Sequence, residues 1–396
     1  MTPFVADAWL AVAESNTSLH EDVFMKVGAS STVSPNTLHC FAEPDVTLSS
    51  HEALGGALEF FLGGAADGTT PFDRDTLAAE VGRHAGWAIA GSPAPVQMEW
   101  DVLAPRFALV HYGTNDMGFG ATYQSALGLL HTNMNALLDG LLDQGTIPAV
   151  FGIVRRGDNV EANRWVTTYN AALRGLAQAR QIPFVDLHHA IDPLPGHGLA
   201  GDGLHLEAFS GGACVLTEEG LLHGYNVRNL VALELLDRLV AAVVDDESSL
   251  DDPDDPALRR TGSGTQADPW QIGALPWTAT ENTTGAESLV DGYPACDDAD
   301  ESGPEHWYTL SLAEPTALRI VVLDDAGVDV DIHVLDRSAP AQCRARADVG
   351  ISGTLAAGAY AIVADTWAGG DGPQPGAYSL LIVPCDDGDP GCAAPL

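Results

Sequence analysis

Basic residues are scarce in this sequence. Its 396 residues include 17 Lys and Arg against 55 Asp and Glu, which gives a formal net charge of −38 at pH 7. The field of such a chain repels phosphate backbones and anionic membrane surfaces, because both carry negative charge. We therefore expect no nucleic-acid partner, and we interpret the acidity as a surface property that keeps the protein soluble.

Long apolar runs are also missing. No uncharged stretch reaches the roughly 18 residues that a membrane-spanning helix needs, so we expect no membrane span. Residues 1–14 lack the basic start and the apolar core of a secretory signal peptide. Hydrophobic residues nevertheless make up 46% of the chain. A chain of this length exceeds what one core usually serves, so two domains are expected.

No Cys-x-x-Cys or Cys/His zinc spacing occurs. The six cysteines form an even set that allows three disulfides and indicates an oxidising compartment, so we expect a secreted or extracytoplasmic protein. Two lie in the first half of the chain and four in the second. The simplest partition pairs Cys40 with Cys214, whereas the other four leave the connectivity open, one arrangement being Cys296 with Cys343 and Cys385 with Cys392.

Strand-like apolar runs alternate with amphipathic helices from about residue 22 to residue 244. This alternation is typical of a parallel sheet covered on both faces by helices. The candidate strands are 23–27, 58–62, 107–112, 147–154 and 182–187. Helices are predicted over 132–144, over 163–181 and from about 227 onward. The pattern predicts a first domain over residues 1–245.

Residues 246–264 begin with an Asp- and Pro-rich run that breaks this pattern, and we interpret them as a linker. Beyond it, short alternating or β-branched runs lie between Gly, Pro and Asp turns, which predicts an all-β sandwich. The candidate strands are 307–312, 318–323, 328–335, 359–364 and 378–383. We expect an accessory domain over 265–386 and a tail over 387–396.

Three short segments carry residues suited to acyl transfer. Ser30 follows a glycine-assisted turn at the end of the first strand, where its hydroxyl is exposed above the sheet edge. Asn115, in Gly-Thr-Asn-Asp after the strand 107–112, offers an amide to a developing oxyanion. Asp202 and His205 lie in a later loop that can fold back over the same edge. Together they indicate a serine hydrolase.

A serine hydroxyl is a weak nucleophile and needs an adjacent base. His205 would take the proton of Ser30 and return it to the leaving group, while Asp202 would fix the imidazole tautomer. Ser31 is a rival nucleophile, because a shift of one residue in the turn would expose it instead. Asp186, at the end of the fifth candidate strand, is an alternative partner for the histidine, although we interpret it as structural.

The three segments, in this order, resemble the SGNH (GDSL-type) hydrolase superfamily over about residues 20–245. The resemblance implies a flavodoxin-like α/β/α sandwich with a parallel sheet, a nucleophile at Ser30 and an oxyanion donor at Asn115. It also implies a glycine amide in the oxyanion hole, for which Gly82 is the first choice and Gly91 the rival; the hole would then comprise Ser30, Gly82 and Asn115. Ala29 departs from the usual family signature, which has an aspartate before the serine.

The second half resembles the bacterial pre-peptidase C-terminal type of β-sandwich, with a jelly-roll-like fold, in the segments 301–308, 328–335 and 358–363. This resemblance implies a secreted accessory module. Asp329 and Asp331 share one strand face and could offer oxygens to calcium, against the alternative of plain surface acidity. Trp270, Trp277 and Trp367 could stack on sugars, against the alternative of core packing.

His188, His189 and His197 raise the question of a metal site. Adjacent histidines project in different directions and no acidic partner recurs at ligand spacing, so we expect no metal in the catalytic site and no cofactor. The prediction is a secreted, monomeric serine esterase acting on small-molecule or polymeric esters, with short acyl or polysaccharide O-acetyl groups favoured. The alternatives are a lipase or phospholipase, and a binding protein on a degenerate hydrolase scaffold.

Overall fold

The structure, a computed structural model, describes residues 3–247, 260–296, 299–370 and 372–396. The chain forms two compact units, residues 1–254 and 255–396. Residues 248–259, which make up most of the predicted linker, lie outside the described part. None of the helices in the described ranges is long and apolar enough to cross a bilayer.

The first unit contains a parallel sheet in the strand order β1-β2-β3-β4. The strands are β1 (His20–Gly28), β2 (Pro105–His111), β3 (Ile147–Phe151) and β4 (Phe184–Val185). A parallel bridge between Gly28 and Ala79 extends the pairing beyond β1. The parallel arrangement with helical connections confirms the predicted α/β class.

Helices connect and cover these strands. They are α1 (Pro3–Ser15), α2 (Ser30–Val33), α3 (Gly55–Leu62), α4 (Ala85–Ala88), α5 (Pro95–Leu103), α6 (Tyr123–Asp143), α7 (Val160–Asn163), α8 (Val166–Arg180), α9 (Leu187–Ile191) and α10 (Gly224–Leu239). Phe107 and Leu109 of β2 join a hydrophobic cluster with α1, α3 and α10. Ala108 and Val110 point to the other face of the sheet, because side chains alternate along a strand.

Residues 58–62, predicted as a strand, form the second half of α3 instead. Ala57, Leu58 and Phe61 are the buried residues of this helix, and their spacing places them on one helical face. A short apolar run does not distinguish a strand from a buried helix, which explains the error. The chain next reaches the sheet at Ala79, through the bridge to Gly28.

The other predicted elements of this unit differ mainly in their ends. The helix predicted over 132–144 begins at Tyr123, because Thr122 and Ser125 form a capping box there. The strand predicted over 182–187 is limited to Phe184–Val185. Helix α1 was not predicted, although Ala6, Trp9 and Ala13 are buried along one of its faces.

The second unit is all-β, as predicted. Its strands are β5 (Trp270–Gln271), β6 (Trp277–Asn282), β7 (Glu305–Leu312), β8 (Thr316–Asp324), β9 (Val330–Asp336), β10 (Ala339–Ala347), β11 (Gly350–Leu355), β12 (Gly358–Thr366), β13 (Ala368–Gly369), β14 (Gly372–Pro373) and β15 (Ala377–Pro384). One sheet has the order β10-β9-β12-β7-β5 and the other β11-β8-β15-β6, while β13 and β14 form a separate pair. Tyr308 and Ile362 from the first sheet share a core with Ile320 and Leu380 from the second.

The three candidate sugar-stacking tryptophans lie at different depths. Trp270 is buried in the core of the sandwich, Trp277 packs against that core, and Trp367 is half-buried. Trp270 is therefore a core residue, as the alternative interpretation expected. Arg260 covers a face of its ring, with the guanidinium carbon 3.7 Å from the ring centroid.

The three disulfides are Cys40–Cys214, Cys296–Cys343 and Cys385–Cys392. They confirm the pairing of Cys40 with Cys214 and select one of the arrangements left open for the other four. The first bridge closes a separation of 174 residues within the first unit. A cross-link over so long a loop restricts the unfolded chain strongly.

Several carboxyl groups are buried in the second unit. Asp331, considered for surface acidity or calcium, is 1% exposed and forms an ion pair with Arg346, so the surface interpretation is wrong for this residue. Asp365 is fully buried, and its Oδ2 accepts a hydrogen bond from the hydroxyl of Tyr293 at 2.7 Å. Burial, together with the nearby carboxyl groups of Glu305 and Glu301, raises the pKa of Asp365 to about 9.

This pKa predicts that Asp365 lowers the stability of the second unit as pH rises. An unfolded Asp ionises near pH 4, whereas folded Asp365 keeps its proton up to about pH 9. The stabilisation is therefore complete below about pH 4 and is lost as pH rises through 9, with a slope of at most about 1.4 kcal/mol per pH unit. Asp365→Asn, which cannot ionise, should melt close to wild type at pH 4.5 and several degrees above it at pH 8.5.

Calorimetry of the whole chain across this pH range measures the difference, and Asp291→Asn, which removes an exposed carboxyl, is the control. A difference in melting temperature between wild type and Asp365→Asn that stays the same at every pH would contradict the prediction.

Candidate active site

Ser30 begins α2, directly after the last residue of β1 and one linking residue, Ala29. The turn requires glycine at position 28: a Cβ there would lie 2.2 Å from Oγ1 of Thr32 and 2.8 Å from the carbonyl oxygen of His111. The close approach of these groups brings the start of α2 to the end of β2. The serine hydroxyl therefore stands at the carboxyl edge of the parallel sheet, where open α/β folds bind their ligands.

The structure joins Ser30, His205 and Asp202 in a row. Nε2 of His205 lies 3.0 Å from Oγ of Ser30, and Nδ1 of His205 lies 2.7 Å from Oδ2 of Asp202. If Nδ1 donates to the carboxylate, Nε2 is left as the acceptor for the serine hydroxyl. Residues 175 positions apart in the chain are thus within hydrogen-bond distance.

Asp202 is held by the backbone of its own loop. Its Oδ1 accepts hydrogen bonds from the amides of Leu204 and His205, each at 3.0 Å. The hydrogen bond from the His205 side chain, supported by these two amides, lowers the pKa of Asp202 to about 2. The carboxylate therefore stays ionised over the whole pH range in which a histidine titrates.

Asn115 lies one turn beyond the end of β2, and its side chain is oriented by a backbone contact. Its Nδ2 donates to the carbonyl of Arg83 at 2.9 Å, which leaves the second N–H of the amide for another acceptor. Buried Asp116 fixes the same loop, because its two oxygens accept from the amides of Ala85 and Gly113, both at 2.9 Å. Burial raises the pKa of Asp116.

One surface cavity brings Ser30, Asn115 and His205 together. Its lining is Ala29, Ser30, Ser31, Arg83, His111, Tyr112, Gly113, Thr114, Asn115, Leu204 and His205. Gly82 is not part of this lining, although it directly precedes Arg83, and its exposed backbone has a positive φ of 78°. Its rival Gly91 does not line the cavity either. The oxyanion role of Gly82 stays a prediction.

The structure also places the rival residues. It is the hydroxyl of Ser30, not that of Ser31, that faces His205. Asp186 caps α9 by accepting from the amide of His189 at 3.0 Å, as its structural interpretation requires. Nδ1 of His197 lies 3.1 Å from Oδ1 of Asp192, which is itself paired with Arg155.

Among the described residues, one group of three potential metal ligands lies close together, and it is in the second unit. It consists of Cys385, Asp389 and Cys392. The two sulfur atoms of this group are bonded to each other in a disulfide, so neither is a thiolate ligand. The calcium interpretation of Asp329 and Asp331 stays a prediction.

Buried polar residues near the start of α10 were missed in the sequence. Asn226, Arg228 and Asn229 are at most 5% exposed, although a helix that packs on a sheet usually buries apolar side chains. The available signal was their position among the leucines that define the buried face of this helix. Buried polar groups need partners, and most partners of these three lie in the segments that follow Ser30 and His205.

A hydrogen-bonded row of serine, histidine and aspartate at the carboxyl edge of a parallel α/β sheet is an arrangement of the hydrolases that act by acyl transfer. Residues 63–208 match the family model of the GDSL-like lipase/acylhydrolase family. This part of the chain is therefore a GDSL-like hydrolase domain, and the protein is an ester hydrolase. The matched residues include Asn115, Asp202 and His205 and begin after Ser30.

Solved structures similar to this chain include ester hydrolases. A GDSL-like lipase from Bacteroides thetaiotaomicron is 14% identical over 59% of this chain and 98% of its own, with a TM-score of 0.34. A catalytic mutant of an acetylxylan esterase from Geobacillus stearothermophilus is 14% identical over 54% of this chain and 93% of its own, with a TM-score of 0.34.

The pre-peptidase C-terminal domain of a Bacillus anthracis collagenase is 17% identical over 28% of this chain and 91% of its own, with a TM-score of 0.21. No curated protein matches the chain in sequence.

Gly82 and Gly91 provide a matched pair that tests which amide serves the oxyanion hole. Both have a positive φ, 78° and 94°, and an added Cβ would meet no atom closer than 3.5 Å at either position. Alanine should therefore cost each site a similar 1–2 kcal/mol or so of backbone strain. Alanine keeps the amide N–H, but the backbone strain displaces it, so we expect Gly82→Ala to lower kcat for an activated ester by up to about 100-fold and Gly91→Ala to leave kcat unchanged. Equal kcat values for the two variants would refute the assignment of Gly82.

Proposed function

We propose that this protein is a secreted serine esterase that hydrolyses carboxylic esters through an acyl-enzyme on Ser30. The observation that carries the proposal is the row of two hydrogen bonds that links Oγ of Ser30, the imidazole of His205 and the carboxylate of Asp202. A nucleophile within hydrogen-bond distance of a base, which is itself held by a third group, is the geometry that nucleophilic catalysis needs.

The reaction follows from these contacts. Oγ of Ser30 attacks the ester carbonyl while Nε2 of His205 takes the hydroxyl proton, and the tetrahedral intermediate then expels the alcohol, which receives that proton from His205. A water molecule repeats the sequence on the acyl-enzyme and releases the acid. Asp202 stabilises the imidazolium in both halves because its low pKa keeps it ionised.

The oxyanion would be stabilised by donors that the loops already orient. The second N–H of the Asn115 amide is one, since the first is taken by the carbonyl of Arg83. The amide of Ser30, at the start of α2, and that of Gly82 are the others proposed. Donors that are fixed in place before the reaction lower the barrier because they need no reorganisation when charge develops.

The lining of the cavity supports a short acyl group. Most of its side chains are polar or small, and Leu204 is its one aliphatic side chain larger than alanine, whereas a long acyl chain needs an extended apolar surface. Two aromatic side chains contact Arg83, which lines the cavity, and its neighbour His84. Trp87 contacts Arg83, and half-exposed Phe119 packs on His84 with ring centroids 4.0 Å apart. We therefore favour O-acetyl groups on polysaccharides, since aromatic faces can pack against sugars.

Secretion is proposed from the three disulfides, because such bonds persist in oxidising compartments.

Covalent labelling tests the nucleophile. A fluorophosphonate probe should modify wild type at Ser30, as read by peptide mass spectrometry, and Ser30→Ala should lose the label together with at least about 1,000-fold of kcat. Ser31→Ala should keep the label on Ser30. An unlabelled but folded wild-type protein without esterase activity would instead favour a binding protein on a hydrolase scaffold.

A chain-length series tests the acyl group. We expect kcat/KM to be highest for p-nitrophenyl acetate and to fall steadily through the butyrate and octanoate, because the cavity offers little apolar surface to longer chains. Release of acetate from acetylated xylan, compared with chemically deacetylated xylan, tests the polymeric substrate. A maximum at octanoate would overturn the short-acyl proposal and favour a lipase.

A further inference from the structure

Arg228 is a buried cation beneath the nucleophile turn. It lies on α10 and is 5% exposed. Its Nη1 donates to the carbonyl oxygen of Ser31 and, at 2.5 Å, to Oγ1 of Thr37, and its Nη2 lies 3.3 Å from Nδ1 of His111. The guanidinium thus contacts both the segment that follows Ser30 and the last residue of β2.

The carbonyl of Ser31 needs an unusual partner. In a helix it would accept from the amide four residues later, but that position is Pro35, which has no N–H. The preceding carbonyl, that of Ser30, has its ordinary partner in the amide of Ser34. Arg228 and the hydroxyl of Thr37 take the place of the missing amide, since both donate to the oxygen of Ser31.

The contact with His111 extends this support to the other side of the site. His111 ends β2 and precedes the loop that carries Asn115. Burial, with the charge of Arg228 as a further cause, lowers the pKa of His111 to about 3. The imidazole is therefore neutral, and its Nδ1 is able to accept from the guanidinium. One side chain connects the segment of the nucleophile with the strand of the oxyanion donor.

The hydrogen-bond partners of Arg228 are all neutral: a carbonyl, a hydroxyl and an imidazole. Within the described ranges, no carboxylate lies within ion-pairing distance of it. Burial lowers the pKa of Arg228 to about 10, which still leaves it charged at neutral pH. A buried cation without a counter-ion is costly to fold, so its position is better explained by a demand of the site than by stability.

We propose that Arg228 is a positioning residue that holds the carbonyl of Ser31 against the end of β2 and thereby sets the distance between Ser30 and Asn115. This inference rests on the proposed function. Arg228 acts through Ser31 and His111 rather than on the substrate. Its removal should therefore affect the transition state, in which both Ser30 and Asn115 take part, more than the binding of the ester.

The test compares Arg228→Met with a matched variant. Arg106 is also a buried arginine that donates to carbonyls, those of Gly145 at 2.8 Å and Asn16 at 2.9 Å, away from the catalytic loops. With p-nitrophenyl acetate, Arg228→Met should lower kcat by about 100-fold with KM unchanged, because small displacements of reacting groups cost that much. Arg228→Lys, which keeps one donor, should recover part of the loss. Arg106→Met should lower the melting temperature and leave kcat unchanged.

The outcomes separate this inference from the proposed function. If Ser30 of wild type reacts with the fluorophosphonate and folded Arg228→Met has the kcat of Arg106→Met, the positioning role is wrong while the esterase stands. If Ser30 does not react, the proposed function fails first. Should Arg228→Met not fold, Thr37→Val removes the other donor to the Ser31 carbonyl at nearly constant shape. A drop in kcat without a change in KM supports the role, and a wild-type kcat overturns it.

Discussion

The hydrogen bond between Ser30 and His205 joins two segments that cannot position themselves. Ser30 lies on a helix of four residues, and His205 lies in a loop without regular structure. The hydrogen bonds within each segment fix its local shape but not the distance between the two side chains, which catalysis requires to within a fraction of an ångström. Their approach therefore depends on what packs beneath them, and the element that reaches both is the polar first half of α10.

Two asparagines of α10 hold these segments in place by hydrogen bonds. Asn226 accepts from the amide of Phe209 at 3.1 Å and donates to the carbonyls of Gly212 and Val215 at 2.9 and 3.0 Å, so it holds the chain that follows His205.

Asn229 accepts from the amide of Leu38 at 3.0 Å and donates to the carbonyls of Asn36 and Ala213 at 2.8 and 3.1 Å. It thereby ties the segment after Ser30 to the segment after His205. The disulfide between Cys40 and Cys214 joins the same two segments covalently. Losing one partner would leave buried amides unsatisfied, so this connection is sensitive to single substitutions.

Local sequence signals were sufficient where the structure is local. The end of β1 at Gly28, the motif around Asn115 and the spacing of Asp202 and His205 lie within a few residues each. The structure brings Ser30, Asn115 and His205 to one cavity. The run at 58–62 was misassigned because both a buried strand and a buried helix are continuously apolar. The burial of Asp331 and the partners of Arg228 could not be predicted, since they depend on segments tens to hundreds of residues away.

Buried titratable groups in the two units make stability depend on pH in opposite directions. In the first unit, burial lowers the pKa of Lys26 to about 7, so its contribution to stability is present above about pH 10 and is lost as pH falls through 7. In the second, Asp365 loses its contribution as pH rises toward 9. Asp202, the carboxylate of the proposed mechanism, differs from both, because it is exposed and its pKa is set by hydrogen bonds. The charge that the proposed chemistry uses is thus fixed by hydrogen bonds at an exposed position and not by burial.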